Sequence, residues 1–274
     1  MIGKVDLVMW AKNGERFLPK VLRRIEEAIP DGEVNKKIFV DDSSADYTVE
    51  IAKSFNWEVY QNPFGGIPSG ANEALKHVES EFFVSIEQDV VLARDWWKKI
   101  SKYMEDKGVA VAQGIRFSTN KTLRKIEEYT YFRNNYPYCS IDNNILRTKI
   151  VERLGGFPSN CKVCMDANLK EIITKQTPYK WITDKSVISE HLNDSAEQYL
   201  HHCYKVSSLC TCNRASIWKM FRLFLTSPIR ASIVALRKHE LKILVVYPLI
   251  RYYKFKGKIK SVRAKYGVVL VEKR

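Results

Sequence analysis

Between residues 4 and 116, short apolar runs alternate with segments of helical period, and the runs end in polar residues. KVDLVMW (4–10) stops at Ala11-Lys12-Asn13-Gly14, KKIFV (36–40) at Asp41-Asp42-Ser43-Ser44, and EFFVSI (81–86) at Glu87-Gln88-Asp89. WEVY (57–60) leads into the Gly/Pro loop NPFGGIPSG (62–70), with Ser69 the expected cap of a helix over 71–78. Residues 15–28 place apolar side chains at 17, 18, 21, 22 and 25, and residues 46–55 continue the helical reading. Such alternation builds βαβ units on a mostly parallel sheet sandwiched by helices. Ligands of an open α/β sheet bind beyond the carboxyl ends of its strands. One acidic strand end is a turn; four polar ends from successive strands make a site. That site is not a P-loop, since no G-x-x-x-x-G-K-S/T occurs. It is not a dinucleotide site either, since G-x-G-x-x-G is missing after the first strand.

Past residue 117 the pattern is mixed. CSIDNNILR (139–147) reads as a strand feeding a helix that stops at Gly155-Gly156, and CMDANLKEII (164–173) as a helix start. WITDKSVISEHL (181–192) reads as two short strands and 194–209 as a helix. Two amphipathic stretches follow, 216–238 and 241–260, interrupted by Pro228 and Pro248.

Charge divides the chain at the same place. Residues 213–274 hold 16 Lys or Arg against two acids, Glu240 and Glu272, and account for the whole net charge of +14. Residues 1–212 balance, 29 bases against 29 acids. The expected organisation is a neutral catalytic domain over 1–212 and a basic helical extension over 213–274. In the extension Lys and Arg interleave with Trp218, Phe221, Phe224, Tyr247, Tyr252, Tyr253 and Phe255, the composition of a helix lying on an anionic membrane surface. No window reaches the length of a membrane-spanning helix, and the N-terminus lacks the features of a signal peptide. The expected location is cytoplasmic, peripheral on the cytoplasmic face of the membrane. No nucleic-acid recognition motif accompanies the basic residues, so no nucleic-acid partner is expected, although a basic nucleic-acid-binding protein is the rival reading from another class.

Six cysteines stand at 139, 161, 164, 203, 210 and 212. Cys161-x-x-Cys164 and Cys210-x-Cys212 suit the two halves of a tetrahedral zinc site, but their spacing departs from the usual paired C-x-x-C. Buried thiols are the default for a cytosolic chain, and a disulfide suits a hyperthermophile, so the sequence leaves three states open.

VMWAKNGERFL, FVDDSSADYT, GGIPSGANEAL and VSIEQDVVL, followed by CSIDNNILRTKIVERLGGF, GGFPSNCKVCMDANL and SVISEHL, resemble the family 2 glycosyltransferases in both content and order. The resemblance runs from residue 4 to about residue 192. It implies the α/β GT-A fold, Rossmann-like, here with a helical amphipathic C-terminal extension. It also implies metal-dependent, inverting transfer of a hexose such as mannose or glucose from a GDP- or UDP-linked donor to a hydroxyl acceptor, a glycan or a lipid-linked one. Carried over by residue, Ala11 and Asn13 lie beside base and ribose, Asp42 accepts from the base, and Gly70 and Asn72 belong to the donor loop. Asp89 and His191 bind Mn²⁺ or Mg²⁺, and Glu87 faces the ribose or a metal-bound water. Asp166 is the base that deprotonates the acceptor, with Asp142 and Asn143 near the sugar or acceptor. Read alone, Asp166 is equally a helix cap and Asp42 an Asx-turn residue. The chain departs from the family pattern at Lys12, where an aromatic is common, and at Ala71, where an Arg is common. MDAN also stands where Glu-Asp-x-Asp is usual. The alternative within the enzyme class is a polyprenyl-phosphate sugar synthase, whose ionised acceptor needs no base.

Overall fold

A computed structural model describes residues 2–133, 138–192, 195–212 and 216–265. The chain forms two compact units. The first comprises 1–117, 137–159 and 165–192; the second comprises 118–136, 160–164 and 193–274. The charge step at 213 therefore falls inside the second unit.

The first unit is built on β1 (Val5–Ala11), α1 (Leu18–Ala28), β2 (Val34–Asp41), α2 (Thr48–Ser54), β3 (Glu58–Gln61), α3 (Ile67–Lys76), β4 (Phe82–Ile86), β5 (Val90–Val91), α4 (Trp96–Ile100) and β6 (Val109–Ser118). The second unit's α5 (Lys121–Arg133) comes next in the chain. The first unit then resumes with β7 (Asn143–Arg147), α6 (Thr148–Arg153), α7 (Met165–Gln176) and β8 (Lys180–His191). The eight strands form one sheet in the order β3-β2-β1-β4-β7-β6-β8-β5. The β3-β2-β1-β4 half is parallel, as the alternation predicts. The other half turns antiparallel at β4–β7 and stays so at β6–β7 and β5–β8.

β1 shows why its run is almost wholly apolar: successive side chains enter opposite cores. Val5, Leu7 and Met9 join Leu18, Leu22, Phe39, Val84, Trp96 and Val187 on one face. Val8 and Trp10 join Ile38, Ala71, Leu75, Phe83, Phe157 and Leu169 on the other. Asp6 is the exception, fully buried in that strand. A buried carboxylate persists only when its oxygens are satisfied. Its oxygens accept from the Glu79 and Ser80 amides at 2.6 and 2.8 Å, and from Asn35 Nδ2 and Ser80 Oγ at 2.9 Å each.

Two local expectations change. The helix after the Gly/Pro loop begins at Ile67, not Ala71. Gly66 occupies the cap position at φ +83°, a conformation glycine adopts without strain, and Pro68 fits the first turn. Ser69 therefore sits inside the helix and donates to Asn62 Oδ1 at 2.5 Å instead of capping. The segment 181–192 is one strand rather than two: its polar centre stays within a continuous β8, with Asp184 accepting from Tyr103 Oη at 3.0 Å and Lys185 and Ser186 exposed.

The second unit is helical: α5, α8 (Ala196–Leu209), α9 (Ile217–Leu225), α10 (Ser227–Lys238) and α11 (Ile243–Lys265). Its core gathers Leu123, Leu200, Cys203, Val234, Ile243 and Tyr247. Pro228 does separate α9 from α10, taking a first-turn position, whereas Pro248 lies within a continuous α11. Lys125–Glu240 and Lys238–Glu128, at 3.2 and 3.0 Å, join the C-terminal helices to α5. Most of the aromatics expected to face a membrane are instead occupied within the unit. Tyr247 is buried, and Phe224 stacks on Phe255 at 6.1 Å while Phe221 and Tyr252 lie at 5.4 and 5.6 Å from their ring partners. Among the described residues no helix is long and apolar enough to cross a membrane.

Candidate functional site

The carboxyl ends of β2, β1 and β4 lie side by side, and short polar bonds lash their loops together. Ala11 is in register with Asp41, and its carbonyl accepts from the Asp42 amide at 2.8 Å. Asn13 takes a left-handed φ of +50°, which Asn tolerates better than most residues. Its amide donates to Ser44 Oγ and its Oδ1 accepts from the Ala45 amide, both at 2.9 Å, so the side chain clamps one loop to the next. Gln88 makes the corresponding clamp to β4. Its Oε1 accepts from the Lys12 amide at 2.9 Å and its Nε2 donates to the Lys12 carbonyl at 3.1 Å.

Asp42 folds the Gly-rich loop toward this edge. Its Oδ1 accepts from Asn62 Nδ2 at 2.7 Å and from the Gly66 amide at 3.0 Å, and Lys12 Nζ stands 4.0 Å from Oδ2. Gly70 serves close packing: a Cβ there would meet Trp10 Cβ at 2.9 Å. In Asn72 the side-chain amide hydrogens are held by the Pro68 and Phe157 carbonyls at 2.9 Å each. Its Oδ1 accepts from the Phe157 amide at 2.8 Å, tying α3 to the turn at Gly155-Gly156.

The chemistry gathers one strand further along. Asp89 follows β4, and β5 pairs Val90 with His191 of β8. The pairing brings His191 Nε2 to 3.2 Å from Asp89 Oδ2, and the Leu192 amide donates to the Asp89 carbonyl at 2.8 Å. A carboxylate and an imidazole at that distance suit a hard divalent cation completed by ligand oxygens and water. Glu87 lies beside them, and its amide donates to the Asp142 carbonyl at 3.3 Å. Burial, then the charges of Asp142 and Asp89, push the Glu87 carboxyl up to about 8, with Arg116 opposing and Asp166 adding to the rise. Glu87 thus feels three other acids, from the end of β4, the start of β7 and the start of α7, the kind of pocket that receives a cation.

Asp142 is fully buried and is answered by two groups. Ser140 Oγ donates to its Oδ1 at 2.6 Å, and Arg116 Nε donates to Oδ2. Asp142 in turn, with Tyr138 and Glu87, holds the Arg116 guanidinium well above its ordinary range, against the cost of its burial. The loop carrying Asp142 is set by Asn144, whose Nδ2 donates to Gln113 Oε1 at 3.0 Å and to the Ser140 carbonyl at 2.8 Å. Next to Asp142, the Asn143 side chain is fully enclosed, and among the described residues neither of its amide atoms has a hydrogen-bond partner. Asp166 lies in the first turn of α7, where the helix dipole favours its charge, and its Oδ1 accepts from the Ala167 amide at 2.7 Å. One turn on, Lys170 donates to the Tyr138 carbonyl at 2.8 Å, and burial lowers the affinity of its amine for a proton.

Of the residues singled out from sequence, Glu87, Asp89, Asp142, Asp166 and His191 come together. Ala11, Asn13 and Asp42 line the neighbouring strand ends, while Gly70 and Asn72 lie in α3, the first against Trp10 and the second bonded to the Phe157 backbone. Arg116 was missed. Its signal was a lone charge in the otherwise apolar strand VAVAQGIRFS, affordable only beside an opposite charge. Gln88 was missed as a clamp.

The family model described as glycosyl transferase family 2 matches residues 6–163, more than half of the chain. No curated protein matches the sequence. Among solved structures, a mannosyltransferase from Pyrobaculum calidifontis in complex with GDP-Man and Mn²⁺ is 16% identical at a TM-score of 0.58, covering 99% of this chain and 77% of its own. Glucosyl-3-phosphoglycerate synthase from Mycobacterium tuberculosis, in complex with Mn²⁺, UDP and glucosyl-3-phosphoglycerate, is 13% identical at 0.55, covering 72% and 75%. TarS from S. aureus in complex with UDP is 15% identical at 0.52, covering 98% and 94%. At these identities the likeness speaks for the fold, and that fold is GT-A.

Proposed function

Since the chain belongs to glycosyl transferase family 2, we propose that it transfers a hexose from a GDP- or UDP-linked donor to a hydroxyl acceptor, with inversion at the anomeric carbon. The observation that carries this reading is the convergence of Glu87, Asp89 and Asp142 with His191 at the strand ends, with Asp166 at the start of α7 acting on Glu87. Asp89 and His191 are the residues that would hold Mn²⁺ or Mg²⁺, and the crowding that raises Glu87 fits such a cation. When bound, the metal neutralises charge on the departing diphosphate. Arg116 and Ser140 Oγ satisfy the oxygens of the buried Asp142 carboxyl. Glu87, whose carboxyl is pushed up to about 8 while no cation is bound, ionises more readily once one is, and its oxygens accept from a ribose hydroxyl. Asp42 and Asn13 shape the edge that receives the base. Asp166 accepts the proton of the acceptor hydroxyl as that oxygen attacks, which a carboxylate in hydrogen-bond reach can do. No second nucleophile is assigned, so displacement is direct.

The same proposal extends to a membrane surface. Trp218 is 76% exposed, Leu236 75% and Leu241 80%, with Leu225, Ile229 and Val245 also open to solvent. Exposed Lys219, Arg222, Arg230, Arg237 and Lys242 accompany them. Apolar side chains among bases suit insertion at an anionic interface, and a lipid-linked acceptor fits an enzyme held there.

Thermal shifts with UDP, GDP, dTDP and CDP, each with and without Mn²⁺, test the donor half. A nucleotide at a hundredfold excess over its dissociation constant adds about 2.7 kcal/mol. The shift should need metal and vanish in Asp89→Asn; no shift with any nucleotide refutes the site. Asp166→Asn tests the base: activity collapses for a hydroxyl acceptor and survives for an ionised phosphate. Sedimentation with anionic vesicles, lost in Trp218→Ser/Leu236→Ser, tests the surface.

A further inference from the structure

We propose that Cys161, Cys164, Cys210 and Cys212 bind one structural zinc ion as a tetrathiolate site within the second unit. Their four sulfurs all lie within 4.8 Å of one another. Zinc–sulfur bonds of about 2.3 Å place the corners of a tetrahedral site about 3.8 Å apart, so the four can close on one ion by small side-chain rotations. The ligands come in two short loops, C-x-x-C and C-x-C, separated by 45 residues of chain between Cys164 and Cys210. Paired short loops of this kind are how small tetrahedral sites are assembled, and a tetrahedral all-sulfur set selects zinc among redox-silent ions.

The surroundings separate these four from the other two cysteines. Cys203 packs in the helical core of the second unit and Cys139 against a core of the first, as small hydrophobes do. The four clustered cysteines stand outside the three apolar clusters, although Cys161 is itself buried. Around them are polar groups that fix the loops. Thr211 Oγ1 donates to the Asn160 carbonyl at 3.2 Å, and Ser261 Oγ donates to the Cys210 carbonyl at 2.6 Å. The Lys258 ammonium, buried on α11, lies 3.4 Å from the Cys212 carbonyl it donates to. Four thiolates and one zinc ion leave two negative charges, and a buried ammonium beside them is the outer-shell counter-charge such a site needs. Gly257 lets α11 come that close: a Cβ there would meet the Tyr204 carbonyl oxygen at 2.5 Å. Coordination displaces one proton from each thiol to solvent and involves no oxidant. The inference is independent of the transferase reading.

The full chain, purified without chelator, should carry one zinc per chain by plasma mass spectrometry, released by a mercurial reagent. Cobalt added to stripped protein should give the intense visible and sulfur-to-metal absorption of a tetrathiolate. Cys161→Ser and Cys212→Ser should lose the metal, whereas Cys139→Ser keeps it. Should the serine variants fail to fold, the wild type decides alone: chelation must lower its melting temperature and zinc alone must restore it. Protein that takes up no zinc from added zinc salt overturns the proposal. So does an anaerobically purified chain with a Cys164–Cys210 disulfide by intact mass, or one loaded with iron.

Discussion

At Glu87, stability and ligand binding pull in opposite directions, and replacing it with Gln separates them. Its carboxyl titrates at about 8 in the folded chain against an ordinary value of 4.5, chiefly through burial and then through Asp142 and Asp89. The folded state therefore keeps a proton that the unfolded state releases. The stability linked to that proton is complete below about pH 4.5 and drains away as pH rises toward 8. The steepest slope one group can impose is about 1.4 kcal/mol per pH unit. Between about pH 5 and pH 7.5 the metal-free wild type loses at most about 3 kcal/mol from this source, less what the other three acids absorb by shifting their own protons. At roughly 2–4 °C per kcal/mol for a chain of this size, that is a fall of up to about 10 °C. Glu87→Gln preserves shape and hydrogen bonding without a titrating proton, so its melting temperature should be flatter across the same range and higher than wild type at the alkaline end. Added Mn²⁺ should reverse the ranking at that end by stabilising the wild type more. Differential scanning calorimetry in chelator and then in metal measures both. Melting curves that stay parallel from acid to alkaline pH would refute the coupling of these carboxylates.

Two further outcomes follow from the same pocket. Arg116→Ala strands the buried Asp142 with Ser140 alone and should cost about 3 kcal/mol in urea unfolding, at the low end for a broken buried pair because the arginine side chain is 24% exposed. Adding Asp142→Asn should recover more than half of that, and no recovery would mean that the pair is not the cause. Asn143→Leu removes two buried polar atoms that have no partner among the described residues and should raise stability by about 1 kcal/mol. A destabilised variant would mean that the amide is satisfied in the folded protein.

What could be read from sequence was whatever lies close together along the chain. Strand ends such as Asp41-Asp42 and Glu87-Gln88-Asp89 announce themselves by an apolar run that stops, and the parallel half of the sheet follows from the helices between them. His191 was legible through its resemblance to a family motif, though its partner Asp89 lies 102 residues earlier and only the β5–β8 pairing joins them. The antiparallel half was not legible, because β7 returns beside β4 after a long excursion that carries α5. Arg116 went unseen for the same reason: its partner is 26 residues away. The bonds of Asn72 to the Phe157 backbone were not legible either, because the two residues stand 85 apart in the chain. The cysteine spacing left its states open because the sequence gives no distance between residues 164 and 210.

The sheet's margins decide how this chain meets its own copies. One edge is β3, four residues long and exposed at Glu58 and Gln61; the other is β5, two residues long. Beside β5, the outer length of β8 carries Lys180, Asp184 and Lys185. Short and charged margins offer a neighbouring strand little to pair with, which is how natural sheets avoid growing from one molecule into the next. Concentrated solutions of the protein should therefore resist fibril formation through the sheet. Clumping in the absence of lipid or detergent should instead start from the exposed apolar side chains of the second unit, such as Trp218, Leu236 and Leu241.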